Sequence, residues 1–540
     1  MSEREYTVIV HNRNELSNIE LELTASSGAG PIPNRSVDVA NPRPGSKIQT
    51  HFILTDEEAE ELRADSRVRA VEIPPDQRDD ISIGLNTHQN GTFFRGAGLF
   101  SNYVNWGLRR CISATNNFQN GVSRLTEVNG PYEYGIDGTG VDVVIQDSGI
   151  DPGHPDWNDY NGASRLQPIS WYTESGLSGT QSVNHYRDLD GHGSHCTSIA
   201  AGLLYGWAKG ARIYSQKLAG LETLSGGDGT GIPISDAFDC IRLWHNAKNG
   251  SRPTVVNMSW GYGANVSGDP TSGVYRGTAW TYGVDYISRS QLQAATGVSQ
   301  NYFNGGTGHR IPVRVTSVDA EVEDMINDGL HICIAAGNNL HKAEVVGGPD
   351  YDNTVEFSGN SRTYHRGSSP YSDNAFMVGN IDSGAKNSSG GTDNSILLDQ
   401  TATSTTRGPG VNIFAPGSNI MAATSRDYDT GAYSIIGYPN DNTFPIMSIG
   451  GTSMASPQVA GVVAQHLQVF PDLTPAEMQQ RIQNDSTNVL FNTGSDVDYG
   501  RIYDSLMGAP NRMLYSRYGK QAITVTGSNT TSIIGSITVA

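Results

Sequence analysis

The sequence predicts an α/β fold: a mostly parallel central sheet with helices on both faces. Three observations carry this. Short apolar runs recur from about residue 105 onward: "GVDVVIQDSG", "ARIYSQKL", "PTVVNMSW" and "LHICIAAGNN". Helical patterns such as "ISDAFDCIRLWHNAK" lie between them. Strands buried on both faces read as continuous apolar runs, and their alternation with helices implies a parallel sheet. Glycine is frequent, with 63 residues, which suits a loop-rich α/β chain better than a helical bundle.

Ahead of this region, residues 1–80 predict a small α+β unit. "YTVIV" (Tyr6 to Val10) is strand-like, and "SKIQTHFIL" is a second strand. Thr55 and Glu58 form a capping box that starts the helix "DEEAEELRADS". "RVRAVEI" reads as a closing strand. Residues 81–104 are polar and Gly/Asn-rich and read as a linker. The main domain spans 105–517. The tail 518–540 is Ser/Thr/Ile-rich, with the pattern of a small hairpin.

Composition excludes several classes. A net charge of −19 argues against a nucleic-acid partner. No apolar run reaches membrane-span length, so no membrane partner is expected. The four cysteines, 111, 196, 240 and 333, form no CxxC pair, which argues against a disulfide scaffold. "MSEREYTVIVHN" holds no stretch of signal-peptide length, so a cytoplasmic or virion-associated location is expected.

In open parallel sheets ligands bind outside the carboxyl ends of the strands. Asp147, Ser259 and Asn338 stand at such ends. Acyl transfer by serine needs a base for the hydroxyl proton, a carboxylate to orient that base, and donors facing the oxyanion. Asp147 closes "VDVVIQD". His192 lies in "DGHGSHCTSIAAG", at the head of a small-residue helix. Asn338 ends "CIAAGN". Ser453 opens a helix in "GGTSMASPQVAGVVA". Alone, each reads as a turn, loop or cap residue. Together, in the order Asp, His, Ser, they point to one catalytic site.

These segments resemble those of subtilisin-like serine proteases, the subtilase family. "VIQDSGIDPGHPDW" is similar to the family's aspartate segment, "DGHGSHCTSIAAG" to its histidine segment and "GTSMASPQVAG" to its serine segment. The chain order is also the family's. The resemblance implies a serine endopeptidase. Ser453 would be the nucleophile, His192 the base, Asp147 its orienting carboxylate and Asn338 the oxyanion donor. It implies an extended polypeptide substrate between two backbone segments. One would be Gly229, Thr230 and Gly231; the other Ser259, Trp260 and Gly261, with Ala336 and Gly337 beside Asn338. Trp260 and Tyr262 stand where relatives often carry smaller residues, so a crowded pocket wall is expected. The segment 263–315 is longer than typical, and 383–409 reads as an insertion.

The N-terminal unit resembles a subtilase propeptide of ferredoxin-like type. The chain's own N-terminal domain is then an expected inhibitory partner, cut between Pro74 and Tyr103. No cofactor is required by this reading, and no metal is assigned. His192, His195 and Cys196 with Asp188 and Asp190 do not follow a familiar zinc spacing. Asp156 stands where some relatives ligate a structural calcium, but "GLLYGWAKG" lacks the loop that completes that site. Cys196 is similar to a cysteine that marks one branch of the family. The alternatives are a virus-particle assembly protein that keeps the fold, and an enzyme using the triad for another acyl transfer.

Overall fold

The structure is a computed structural model. It describes residues 3–42, 45–78, 82–85, 105–115, 132–221, 231–248, 250–298, 308–384, 398–428, 434–439, 441–492 and 505–521.

The N-terminal unit runs β1 (Arg4–Val10), α1 (Arg13–Leu23), β2 (Val39–Asn41), β3 (Gln49–Leu54), α2 (Asp56–Arg63) and β4 (Val68–Glu72). This is the βαββαβ order of a ferredoxin-like unit. Its sheet is antiparallel, in the order β2-β3-β1-β4. The Thr55–Glu58 capping box is present in both directions at the start of α2. Helix α1 is additional to the elements expected from the sequence. Its Leu16, Ile19 and Leu23 fall on one face and are buried against Val8 and Phe52. A short strand, β5 (Ser82–Leu85), follows the unit.

The main domain centres on a six-stranded sheet in the order β13-β12-β11-β8-β6-β7. These strands are β6 (Asp142–Asp147), β7 (Arg212–Lys217), β8 (Thr254–Met258), β11 (His331–Ala335), β12 (Phe376–Ile381) and β13 (Ile413–Pro416). Every neighbouring pair in it is parallel, as the apolar runs predict. The helices α3 (His192–Ala201), α4 (Ile234–Ala247), α5 (Thr316–Asn327) and α6 (Thr452–Val469) cover its faces. Helix α6 is buried from Thr452 to Leu467. Small residues let it approach α3: a Cβ on Gly461 would lie 2.6 Å from the Ala200 carbonyl oxygen. Among the described residues no helix is long and apolar enough to cross a membrane.

The long segment after β8 begins with β9 (Trp260–Ser267), which pairs antiparallel with β10 (Gly308–Pro312). With Ser272–Tyr275, Thr278–Thr281, Thr354–Phe357 and Asn360–Thr363 it builds an annex. The annex has its own small core, including Trp280, Ile311 and Phe357. The described part of 383–409 is woven into the body. Asp399 pairs with Arg110 at 2.6 Å, with both side chains fully buried. The start of the tail, Gly519–Gln521, pairs with Tyr132–Tyr134. Residues 522–540, most of the expected hairpin, lie outside the described residues.

The N-terminal unit docks on α4 and α5. Glu72, at the end of β4, accepts the first N–H groups of α5, from Thr316 at 3.1 Å and Ser317 at 3.3 Å. A carboxylate at a helix N-terminus satisfies orphan donors and complements the dipole. Lys47 donates to Asp328 at 2.6 Å, and Gln49 to Glu321.

Candidate active site

The site forms at the carboxyl ends of β6 and β11 and the mouths of α3 and α6. Asp147 is the last residue of β6, and His192 the first of α3. Their side chains meet at 2.7 Å between His192 Nδ1 and Asp147 Oδ1, both buried. Burial pushes the His192 imidazolium down. The Asp147 charge and hydrogen bond outweigh this and hold the pKa well above the ordinary histidine value. The opposite ring nitrogen, Nε2, has no hydrogen-bond partner.

Ser453 is the second residue of α6. Its hydroxyl donates to the Ser259 carbonyl at 3.1 Å and makes no bond to His192 in this arrangement. Its own carbonyl is held by two donors, Ser259 Oγ at 3.0 Å and Cys196 Sγ at 3.4 Å. Ser259 Oγ in turn accepts from Asn257 Nδ2 at 2.9 Å, and Asn257 Oδ1 accepts from Ser456 at 2.8 Å. This buried chain fixes the backbone under Ser453. The sequence predicts a backbone role for Ser259 and does not disclose the chain.

Asn338 Oδ1 accepts from the Thr452 N–H at 2.9 Å. That contact fixes the amide orientation, because an N–H needs an acceptor. The Nδ2 group is therefore turned away from Thr452, and it is buried with no partner. An unpaired buried donor beside a helix N-terminus suits a transient anion. Gly337 holds the turn with φ +109°, and a Cβ there would meet Thr406 at 3.0 Å. Ala336 is buried, and its N–H donates to Val378.

Asp188, weighed in the sequence only as a metal ligand, braces the site. Buried Asp188 accepts from Ser148 Oγ at 2.8 Å, Gly191 N at 2.9 Å, Ser194 N at 2.8 Å and Ser194 Oγ at 2.7 Å. It ties the end of β6 to the start of α3, so Asp147 and His192 are set in one frame. The only signal for it in the sequence is an acid four residues before the histidine.

Trp260 and Tyr262, expected to crowd the pocket wall, are both buried. The Trp260 ring is fully buried, edge-on to Phe238 of α4 at 6.3 Å and to Tyr262 at 6.0 Å. Trp260 and Tyr262 are two apart in β9 and share one face, which packs in the core with Phe238. The backbone of Trp260 to Gly263 pairs antiparallel with β5, Trp260 opposite Leu85 and Gly261 opposite Gly84. Gly231 lies in a turn whose next residue, Ile232, bridges Leu218. Gly229 and Thr230 lie outside the described residues.

Metal ligation finds little support in the donor set. Asp147, His192 and Cys196 are the one acid/His/Cys group with ligand atoms close together among the described residues. A metal there would displace the Asp147–His192 bond. The Asp156 carboxylate accepts from Ser198 Oγ at 2.6 Å, Leu204 N at 2.8 Å and Tyr438 OH at 3.2 Å. Those donors occupy both oxygens, so Asp156 does not fit a calcium ligand.

The fold and site define a serine hydrolase of α/β type, with a buried Asp–His pair beside a serine at a helix mouth. The family is narrower: the model of the subtilase family matches residues 138–501, and the chain belongs to that family. The chain is 23% identical over 470 residues to alkaline serine exoprotease A of Vibrio alginolyticus, covering 86% of this chain and 57% of that protein. It is 26% identical over 477 residues to a putative subtilisin-like proteinase 1 of Encephalitozoon cuniculi, covering 84% of this chain and 80% of that protein. Among solved structures, a cold adapted subtilisin-like serine proteinase matches at 21% identity and TM-score 0.43, covering 76% of this chain and 97% of the other. These comparisons lend the virus-particle alternative no support.

Proposed function

We propose that the whole chain is a serine endopeptidase that cleaves extended polypeptides through an acyl-enzyme. One observation carries the reading: His192 is anchored to Asp147 through Nδ1 while its Nε2 is left without a partner beside the mouth of α6. Ser453 turns from the Ser259 carbonyl toward Nε2 and attacks the peptide carbonyl as His192 takes its proton. Asp147 holds the Nδ1–H tautomer and stabilises the imidazolium. Asn338 Nδ2 donates to the oxyanion, helped by the positive end of α6. His192 then protonates the leaving amine, and water repeats the sequence on the acyl-enzyme. Fluorophosphonate treatment followed by peptide mapping tests the assignment. Label on Ser453, absent after Ser453→Ala, is expected; label elsewhere overturns it.

The N-terminal unit acts as a propeptide in this reading. Strand β5 adds to β9 as a bound peptide adds to a sheet edge. The register runs from Ser82 opposite Gly263 to Leu85 opposite Trp260, towards Ser259. Ser259 is the residue whose carbonyl contacts the nucleophile. At strand spacing, the scissile bond falls within about three residues after Leu85. N-terminal sequencing of the processed chain tests this.

A further inference from the structure

A cavity of about 570 Å³ opens between the N-terminal unit and the main domain. Five arginines line it: Arg69, Arg78, Arg314, Arg362 and Arg366. One carboxylate, Asp319, lines it with them. Such a concentration of cations is unexpected in a chain of net charge −19. The catalytic reading uses none of these residues.

Three of the guanidinium groups retain donor capacity. Arg314 donates to Asp319 at 2.7 Å and to the Arg366 carbonyl at 3.1 Å. Arg366 donates to the Tyr351 carbonyl at 2.8 Å and to Asp352 at 2.7 Å. Arg69 donates to Glu323 at 3.1 Å. Each guanidinium carries five N–H groups, so these three keep several for a ligand. Asp352 is 87% exposed, so its pair with Arg366 is a weak, screened one. Planar N–H forks match the oxygens of phosphate groups two at a time.

We propose that this cavity binds a multivalent phosphate-type oxyanion that bridges the two parts of the chain. Arg69 and Arg78 come from the N-terminal side; Arg314, Arg362 and Arg366 come from the main domain. A ligand held by both loses contacts when the N-terminal unit leaves. By linkage, the anion then holds the unit in place and slows its release. This consequence rests on the propeptide reading above; the binding itself does not.

The test uses the full chain carrying Ser453→Ala, titrated calorimetrically with tripolyphosphate at low salt. One saturable site is expected, with orthophosphate weaker. Arg78→Gln with Arg362→Gln should weaken tripolyphosphate by about tenfold or more. Absence of saturable binding, or binding undiminished by the two changes, overturns the site. If the double variant does not fold, hydrogen exchange of the Ser453→Ala chain decides. Tripolyphosphate should protect residues 312–316 and 361–366, and no protection there overturns the site. In the unmutated chain, tripolyphosphate should slow release of the N-terminal unit at least about threefold, the effect of a modest linkage. Binding without slower release overturns the bridge. A chain that never processes refutes the propeptide reading and leaves the binding result standing, so the two failures are told apart.

Discussion

His192 Nδ1 lies 2.7 Å from Asp147 Oδ1, with both side chains buried at the carboxyl end of β6. This contact decides the charge of His192, the base in the proposed mechanism. Burial lowers the imidazolium pKa, and Asp147 more than reverses that, so the net direction is up from 6.5. The proposed mechanism needs neutral His192. Activity should therefore fall as pH drops through a value above 6.5. For stability the sign is opposite: the pair's contribution is full below the ordinary histidine pKa and is lost as pH rises through the raised one. Asp147→Asn should cut kcat by about 10⁴-fold and move the acid limb of the pH–rate profile downward. An unmoved acid limb would show that Asp147 does not set the base.

Asn338→Ala removes the one buried side-chain donor without a partner at the mouth of α6. The expected loss is about 10²–10³ in kcat with little change in KM, the magnitude that loss of the corresponding donor has in subtilisin itself. The variant also loses the Thr452 contact at 2.9 Å, so its melting temperature must be measured beside its kinetics. A twofold change in kcat would mean that another donor meets the oxyanion.

What the sequence discloses of this site follows from how local each signal is. Asp147, His192 and Ser453 each sit at the junction of an apolar run and a glycine turn, and such junctions survive as short motifs. The supports do not. Asn257, Ser259 and Ser456 form one hydrogen-bonded chain, yet Ser456 lies 199 residues from Asn257. Asp188 closes four bonds around the histidine loop, but in sequence it is one acid in an acidic chain. Bulk at Trp260 does not by itself say which face of the strand it occupies, and burial in the structure supplies that. Helix α1, absent from the elements expected from the sequence, does leave a signal: Leu16, Ile19 and Leu23 are spaced to mark one helical face.

Cys196 Sγ lies 3.8 Å from His192 Nδ1 and 3.4 Å from the Ser453 carbonyl oxygen. Burial pushes the thiol up to about 11, so it is a poor nucleophile at neutral pH. Mercury binds sulfur strongly and would wedge the base away from Asp147. Mercurials should abolish activity, and Cys196→Ser should retain activity and resist them. Equal inhibition of both proteins would assign the effect to Cys111, Cys240 or Cys333, which are also buried.

Glu72 joins the N-terminal unit to the start of α5 through two backbone N–H groups. Glu72→Ala leaves those donors uncapped and should weaken docking by about 1 kcal/mol, the usual cost of a lost helix cap. After processing, more of the unit should elute free of the main domain in gel filtration. Lys47 and Gln49 still hold the interface, so complete release from this change alone would indicate a weaker dock than these contacts imply.

Strand β5 yields the sharpest test of the proposed self-processing. Gly84 stands opposite Gly261 in the antiparallel register. The Tyr262 N–H donates to the Ser369 carbonyl, and the Tyr262 carbonyl accepts from Val313, so this residue faces away from β5. Hydrogen-bonding direction alternates along a strand, so Gly261 and Gly263 present their groups to β5. Gly84 therefore donates its N–H into the ladder that seats the segment ahead of the proposed cut. Gly84→Pro deletes that donor and fixes φ near −65°, which an extended ladder strand tolerates poorly. Processing of this variant should slow by about tenfold, the effect of roughly one lost hydrogen bond. Cleavage of an added peptide in trans, by the fraction already processed, should be unchanged per active site. The two rates are read by intact-mass time course and by active-site titration. Processing at the unmutated rate would mean that the pairing of β5 with β9 is not the arrangement from which the chain is cut.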